Sequence, residues 1–239
     1  MTVSPDSTGR YRVTLRFGGG QLESRRLDCS GNVVRADAST FSFGAVEVET
    51  WPDDRLRITG FAAVIRSGLG YALPPSTAPV GTATFDGRVN TMMAGGLVAY
   101  EGGIAGIGLG ISNMGRWIEA AGGEADDVPP TLPAFYLRLG SREGLHYRLD
   151  RLTPTAFVPV SGVMRTGIAW GRGRERRVSG FAGASVGPAA DEAYPLGGFL
   201  EISLPITGRL DAAVAGAYRP SHTSTDWGLV VGGRICLGR

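Results

Sequence analysis

From residue 10 to residue 237 the chain alternates: in run after run one parity is apolar and the other is polar or small. A period of two predicts β-strands. The clearest example is the C-terminal trio 196–206, 209–219 and 226–237. There Leu210, Ala212, Val214 and Tyr218 oppose Arg209, Asp211 and Arg219, and Trp227, Leu229, Val231, Ile235 and Leu237 oppose Asp226 and Arg234. Upstream, the same reading gives candidate strands at 10–17, 20–29, 40–50, 55–66, 88–100, 103–113, 133–141, 144–152, 157–171 and 176–187. Within them Val46 and Val48 oppose Glu47 and Glu49, Leu56 and Ile58 oppose Arg55 and Arg57, and Val158, Val160, Met164, Ile168 and Trp170 oppose Ser161 and Arg165. Many runs reach ten residues, longer than the usual five or six of soluble sheets and long enough to cross a bilayer. Helical periodicity is confined to 112–126, where a short helix from about Met114 to Ala121 is predicted to stop at Gly122-Gly123.

Short and long connections follow one another. Gly18 to Gly20, Pro52 to Asp54, Glu101-Gly102, Ser141 to Glu143, Gly171 to Glu175 and Thr207 to Arg209 read as turns, whereas 30–39, 67–87, 114–132, 188–195 and 220–225 read as polar loops. No linker divides them, so residues 1–239 are taken as one domain. The stretch 91–111, TMMAGGLVAYEGGIAGIGLGI, has the length of a transmembrane helix, but it carries seven glycines and a central Glu101. A hairpin of two Gly-rich strands turning at Glu101 to Gly103 accounts for both.

Composition narrows the function classes. Net charge is +2, so no nucleic-acid footprint is evident. All 24 basic residues are arginine, each a planar fork suited to carboxylates. Glycine supplies 38 of 239 residues, which points to strong sheet curvature or close backbone approach. Cys29 and Cys236 exclude a disulfide scaffold or a cysteine zinc cluster, and the preferred reading is two unrelated thiols. With two widely spaced histidines, His146 and His222, no metal site or cofactor is expected. Gly106-Ile107-Gly108-Leu109-Gly110 lacks dinucleotide-binding spacing. The basic run Arg172 to Arg177 reads as a solvated turn next to lipid headgroups at most. The opening MTVSPDSTGRYR holds no basic and apolar signal segment, which counts against export unless the start is internal or a signal was removed.

Taken over 10–237, and most specifically over 196–237, this pattern resembles the outer-membrane β-barrel class of Gram-negative bacteria. The resemblance implies an all-β, antiparallel up-and-down transmembrane barrel of about 12–14 strands, porin-like, in the bacterial outer membrane with membrane lipids as partners. It implies interfacial aromatics, for which Tyr194, Phe199, Tyr218 and Trp227 are the candidates. The runs number thirteen where such barrels have an even number of strands, and the N-terminus falls on the long-loop rim. An absent upstream strand, or one wrong strand, is the implied remedy.

The expected lumen is the polar parity: Glu47, Glu49, Arg55, Arg57, Arg165, Glu201, Arg209, Asp211, Arg219 and Arg234. A three-residue turn at Pro52 to Asp54 would set Glu49 opposite Arg57. Such a lumen is either a charged pore or an ion-paired plug that holds the barrel together, and the plug is preferred. The function expected is therefore a passive channel or a structural barrel. The alternatives are a non-catalytic subunit of a membrane complex, and a soluble or periplasmic barrel holding an apolar ligand with the two faces exchanged. His222 and Ser224, spaced two apart, also resemble lipid A deacylase barrels, but no Asn follows Ser224 and no carboxylate is assignable, so no enzyme is expected.

Overall fold

A computed structural model describes residues 10–72, 87–119, 131–142, 144–151, 164–171, 178–186, 196–220 and 224–237. They form β1 (Arg10–Leu27), β2 (Val33–Trp51), β3 (Leu56–Ala72), β4 (Gly87–Glu101), β5 (Ala105–Glu119) and β6 (Thr131–Gly140). There follow β7 (Leu145–Arg151), β8 (Met164–Trp170), β9 (Ser179–Val186), β10 (Leu196–Pro205), β11 (Leu210–Pro220) and β12 (Ser224–Leu237). Each strand is antiparallel to its sequence neighbours, and β1 pairs with β12 from Val13↔Leu237 to Arg26↔Ser224, closing a twelve-stranded up-and-down barrel. Closure leaves no sheet edge with unpaired backbone groups.

Twelve strands replace the thirteen of the sequence reading because Gly18 to Gly20 is not a turn. All three glycines pair on both sides inside β1. The inward positions of Gly18 and Gly20 lie beneath the rings of Phe43 and Phe41 on β2, where a Cβ would also run into the backbone of Val231 and Leu229. An aromatic ring on one strand thus covers a glycine on the next, and Phe61 covers Gly95 in the same way. Much of the predicted loop 30–39 is strand as well. The β1–β2 turn is confined to 28–32, where the Asp28 carboxylate accepts from the amides of Ser30 and Asn32 at 2.8 Å each and Gly31 takes a left-handed φ of 81°. The Asn32 bonds, above all, hold the Asp28 carboxyl below its usual value. The helix expected from Met114 is strand to Glu119, paired with β4 up to Arg88↔Glu119, so its backbone groups join the ladder; 120–130 lie outside the described residues.

With twelve strands the two rims sort themselves. The turns after β2, β4, β6 and β10 are short and share one rim with the first residues of β1 and the last of β12. The N-terminal end of the barrel therefore lies on the short-turn rim, and closure requires no further strand. Residues 91–111 are the predicted hairpin, β4 turning into β5 at 102–104.

The outward side is apolar. Every strand except β9 exposes at least one large hydrophobic side chain, with Leu109 at 68% and Val231 at 62%. Soluble monomers do not carry a continuous apolar belt on this scale. Inward-facing apolar side chains form small clusters, among them Phe41, Phe43, Ala213, Ala215 and Val230, and Ala169 with Phe181 and Phe199.

Glycine placement gives a paired prediction. A Cβ at Gly20 meets the Leu229 carbonyl, whereas nothing lies within 4 Å of one at Gly44. Gly20→Ala should destabilise by about 1–3 kcal/mol as overpacking. Gly44→Ala should stay within about 0.5 kcal/mol of the parent. Urea titration of the refolded barrel in detergent micelles measures both, and equal midpoints for the two variants would refute the assignment.

Candidate functional site

Strand alternation sends every second side chain inward, and on the short-turn half of the barrel those positions are charged. On β2, Glu47 accepts from Arg16 of β1 at 2.8 Å. Glu49 accepts from Arg57 of β3 at 2.9 Å and from Arg12 of β1 at 3.4 Å. Arg57 then reaches Glu101, at the end of β4, at 2.9 Å. The other oxygen of Glu101 accepts from Arg138 of β6 at 3.2 Å. That last contact skips a strand. It passes over Gly106 on β5, where a Cβ would stand 2.5 Å from the Glu101 carboxylate. The glycine is thus the opening through which β4 reaches β6. Arg138 completes its bonding with the carbonyls of Gly102, at 2.7 Å, and Gly140.

The network continues through Tyr136 of β6, whose ring lies under Arg57 at 5.2 Å and Arg148 at 5.6 Å. Arg148 pairs with Asp150 on the same strand at 2.7 Å. Asp150 also takes a two-pronged contact from Arg165 of β8 at 3.0 and 3.1 Å. Arg165 reaches Glu201 on β10 at 2.6 Å, while Phe181 and Phe199 flank its guanidinium at 5.1 and 5.6 Å. Arg234 closes on Asp211 at 2.7 Å between β12 and β11. Arg138 and Arg165 are each 1% exposed. Charges this far from water persist only when paired and hydrogen-bonded, because unpaired burial costs several kcal/mol per ion.

The residues named from the sequence divide accordingly. Glu47, Glu49, Arg57, Arg165 and Asp211 are buried in the interior, Glu201 and Arg234 are half-buried there, and all seven are in ion pairs. Arg55 and Arg209 do not line the lumen: both sit in turns on the short-turn rim and are exposed, and Arg55 donates to the Tyr100 hydroxyl at 3.2 Å. Arg219 pairs with Asp226 in the ladder, and its side chain lies outside the described residues. Glu49 stands opposite Thr59 and not Arg57, because the β2–β3 ladder ends at Thr50↔Ile58, two positions further along β3 than a three-residue turn sets; its contact with Arg57 is diagonal. Phe199 is not an interfacial aromatic. It shares the inward parity of Glu201 and packs edge-on against Phe181 at 4.7 Å. Tyr218 is exposed and pairs with Trp227 across β11 and β12, while Tyr194 lies outside the described residues.

Arg16, Glu101, Arg138, Arg148 and Asp150 were missed. Arg16 and Arg138 carried the parity signal, alternating with Leu15 and Phe17 and with Leu137 and Leu139. Glu101 read as turn polarity because nothing local shows that it reaches across β5. Cys29 lies in the β1–β2 turn, whereas Cys236 pairs with Thr14 near the opposite rim, and both thiols are free. The strand between them spans roughly 40 Å, far beyond disulfide reach. His222 lies outside the described residues, as does the side chain of Ser224. The His146 ring donates from Nδ1 to the Gly144 carbonyl at 2.9 Å. Among the described residues no three His, Cys, Asp or Glu side chains gather as a metal site.

No protein-family model and no curated protein matches this chain. Its neighbours among solved structures are bacterial outer-membrane β-barrels. They include the translocator domain of autotransporter NalP from Neisseria meningitidis, at 12% identity over 97% of this chain and 90% of that one, with a TM-score of 0.48. The P. putida toluene transporter TodX is similar at 7% identity over 99% and 91%, with a TM-score of 0.38. The outer membrane protease OmpT from Escherichia coli follows at 9% over 100% and 99%, with a TM-score of 0.30. At these identities and TM-scores the likeness assigns no activity.

Breaking one buried pair tests the network. Arg138→Ala should cost about 3–5 kcal/mol by leaving Glu101 under-paired. The double variant Arg138→Met with Glu101→Gln should cost less than the sum of its single changes, a coupling of roughly 0.5–3 kcal/mol. Additive losses in urea unfolding would show that the two side chains do not interact.

Proposed function

We propose that the protein is an outer-membrane barrel whose lumen is closed by its own ion pairs, a structural barrel and not an open pore. The observation that carries this reading is two sets of Arg–carboxylate pairs on the interior side, one joining β1, β2, β3, β4 and β6 and one joining β7, β8 and β10, bridged by the Tyr136 ring beneath Arg57 and Arg148. A water-filled pore keeps its lining charges hydrated, and here the guanidiniums are spent on carboxylates, carbonyls and aromatic faces. Support for the membrane comes from the apolar exterior, which has lipid as its natural solvent. The polar inside and apolar outside also argue against a soluble carrier, which requires the reverse.

Planar-bilayer recording tests the closed lumen. The parent protein, inserted and shown to run as the compact form in unheated gel samples, should give no steady conductance. Asp150→Ala, which strips Arg165 of two contacts and Arg148 of one, should introduce leak currents. Steady, ohmic conductance from the parent barrel would overturn the closed-lumen reading and favour a passive channel.

A further inference from the structure

On the short-turn rim a concavity of about 640 Å³ lies among three turns, those after β2, β4 and β6. Its wall is held by bonds between these turns. The Glu101 amide donates to the Arg55 carbonyl at 2.6 Å, and the Gly140 amide donates to the Ile104 carbonyl at 2.7 Å. Arg138 ties the second turn to the third through Gly102. The backbone of this rim is therefore fixed before any ligand arrives.

Three guanidiniums and two carboxylates line it: Arg55, Arg138 and Arg142, with Asp54 and Glu101. They are not equivalent. Glu101 is taken on both oxygens by Arg57 and Arg138, so it presents little free negative charge. Asp54 is exposed and lines the same concavity. Arg55 and Arg142 are exposed cations without a carboxylate partner among the described residues. The Tyr100 hydroxyl steadies Arg55, and Arg142 stands 5.8 Å from the ring of Trp51. Neither contact neutralises its charge. Two guanidiniums lining one concavity, each without an acidic partner among the described residues, suit an oxyanion.

Directly below lies an apolar lane. Tyr100 and Val98 of β4 point outward, beside Ile107 and Leu109 of β5 in adjacent register, and all four are exposed. The cationic cavity and the apolar lane meet at Tyr100, whose ring belongs to the lane and whose hydroxyl belongs to the cavity. A free anion has no use for the lane, and an alkane has none for the forks. We infer that this rim binds one anionic phospholipid, with its headgroup phosphodiester between Arg55 and Arg142 and an acyl chain along Val98 and Leu109. The inference rests on the membrane reading above.

The test is native mass spectrometry of the full chain, released from mixed bilayers of phosphatidylglycerol and phosphatidylcholine. The parent should retain one phosphatidylglycerol in preference to phosphatidylcholine by roughly tenfold, the scale of one charge-assisted hydrogen bond. Arg55→Gln with Arg142→Gln should bring the two lipids near parity, whereas Arg209→Gln, on a different turn of the same rim, should leave the preference intact. No preference in the parent overturns the site, and that comparison needs no variant. Equal preference in the parent and the double variant overturns the role of these arginines. Displacement of the lipid by millimolar inorganic phosphate overturns the lipid assignment in favour of a soluble anion. Insertion into both lipids without preference removes the headgroup site alone. Failure to insert into either removes the membrane reading with it.

Discussion

A guanidinium taken out of water must find a carboxylate, and the interior of this barrel is built around that requirement. Arg138 and Arg165 are almost wholly buried, and each is held by an acidic side chain from a strand that is not its sheet neighbour, Arg165 also by Asp150 of the adjacent β7. Such pairs act at a distance along the chain, from β4 to β6 and from β8 to β10. They bind the wall across its own ladder, where backbone hydrogen bonds join only adjacent strands. Replacing a well-placed buried pair by apolar groups is often neutral in stability, while removing one partner is not. The network is therefore better understood as a specifier of how the barrel closes than as a source of net stability.

Glycine makes that arrangement sterically feasible. Long inward side chains cannot all project from neighbouring strands into a lumen of this width. Gly106 opens the path from Glu101 to Arg138, and Gly18, Gly20 and Gly95 lie under Phe43, Phe41 and Phe61. Large groups on one strand are thus set against absent side chains on the next, which gives interior packing without overpacking. The arginine-only cation set fits the same logic, since a planar fork can serve a carboxylate at its edge while its face rests on Tyr136, Phe181 or Phe199.

Alternation made the fold legible. One parity of β11 and β12 is apolar, and Val214, Leu229 and Val231 do stand outward while Asp211 stands inward. Legibility failed where a local signal has two meanings. Three consecutive glycines look like a turn, yet in β1 they are strand positions covered by rings that come from β2. Splitting β1 there produced the odd strand count and the misplaced N-terminal end. Asp37 and Ser39 look like loop, but both lie in β2, which starts at Val33. Register is set by the length of the connection, so two additional residues between the paired positions moved Glu49 from Arg57 to Thr59. Contacts that skip a strand, such as Glu101 to Arg138, have no sequence signature, because they depend on which strand has no side chain in the way.

On this reading lipid meets the outward parity, and the paired charges face the interior. Residue-resolved crosslinking of the unmodified barrel by a photoactivatable phospholipid, read by tandem mass spectrometry over β4 and β5, tests it most directly. The account predicts adducts on Val98, Ile107, Leu109 and Ile111, and none on Leu97, Ala99 or Ser112. Adducts concentrated on Leu97, Ala99 and Ser112 would contradict it, since the charged interior would then be the side that faces lipid.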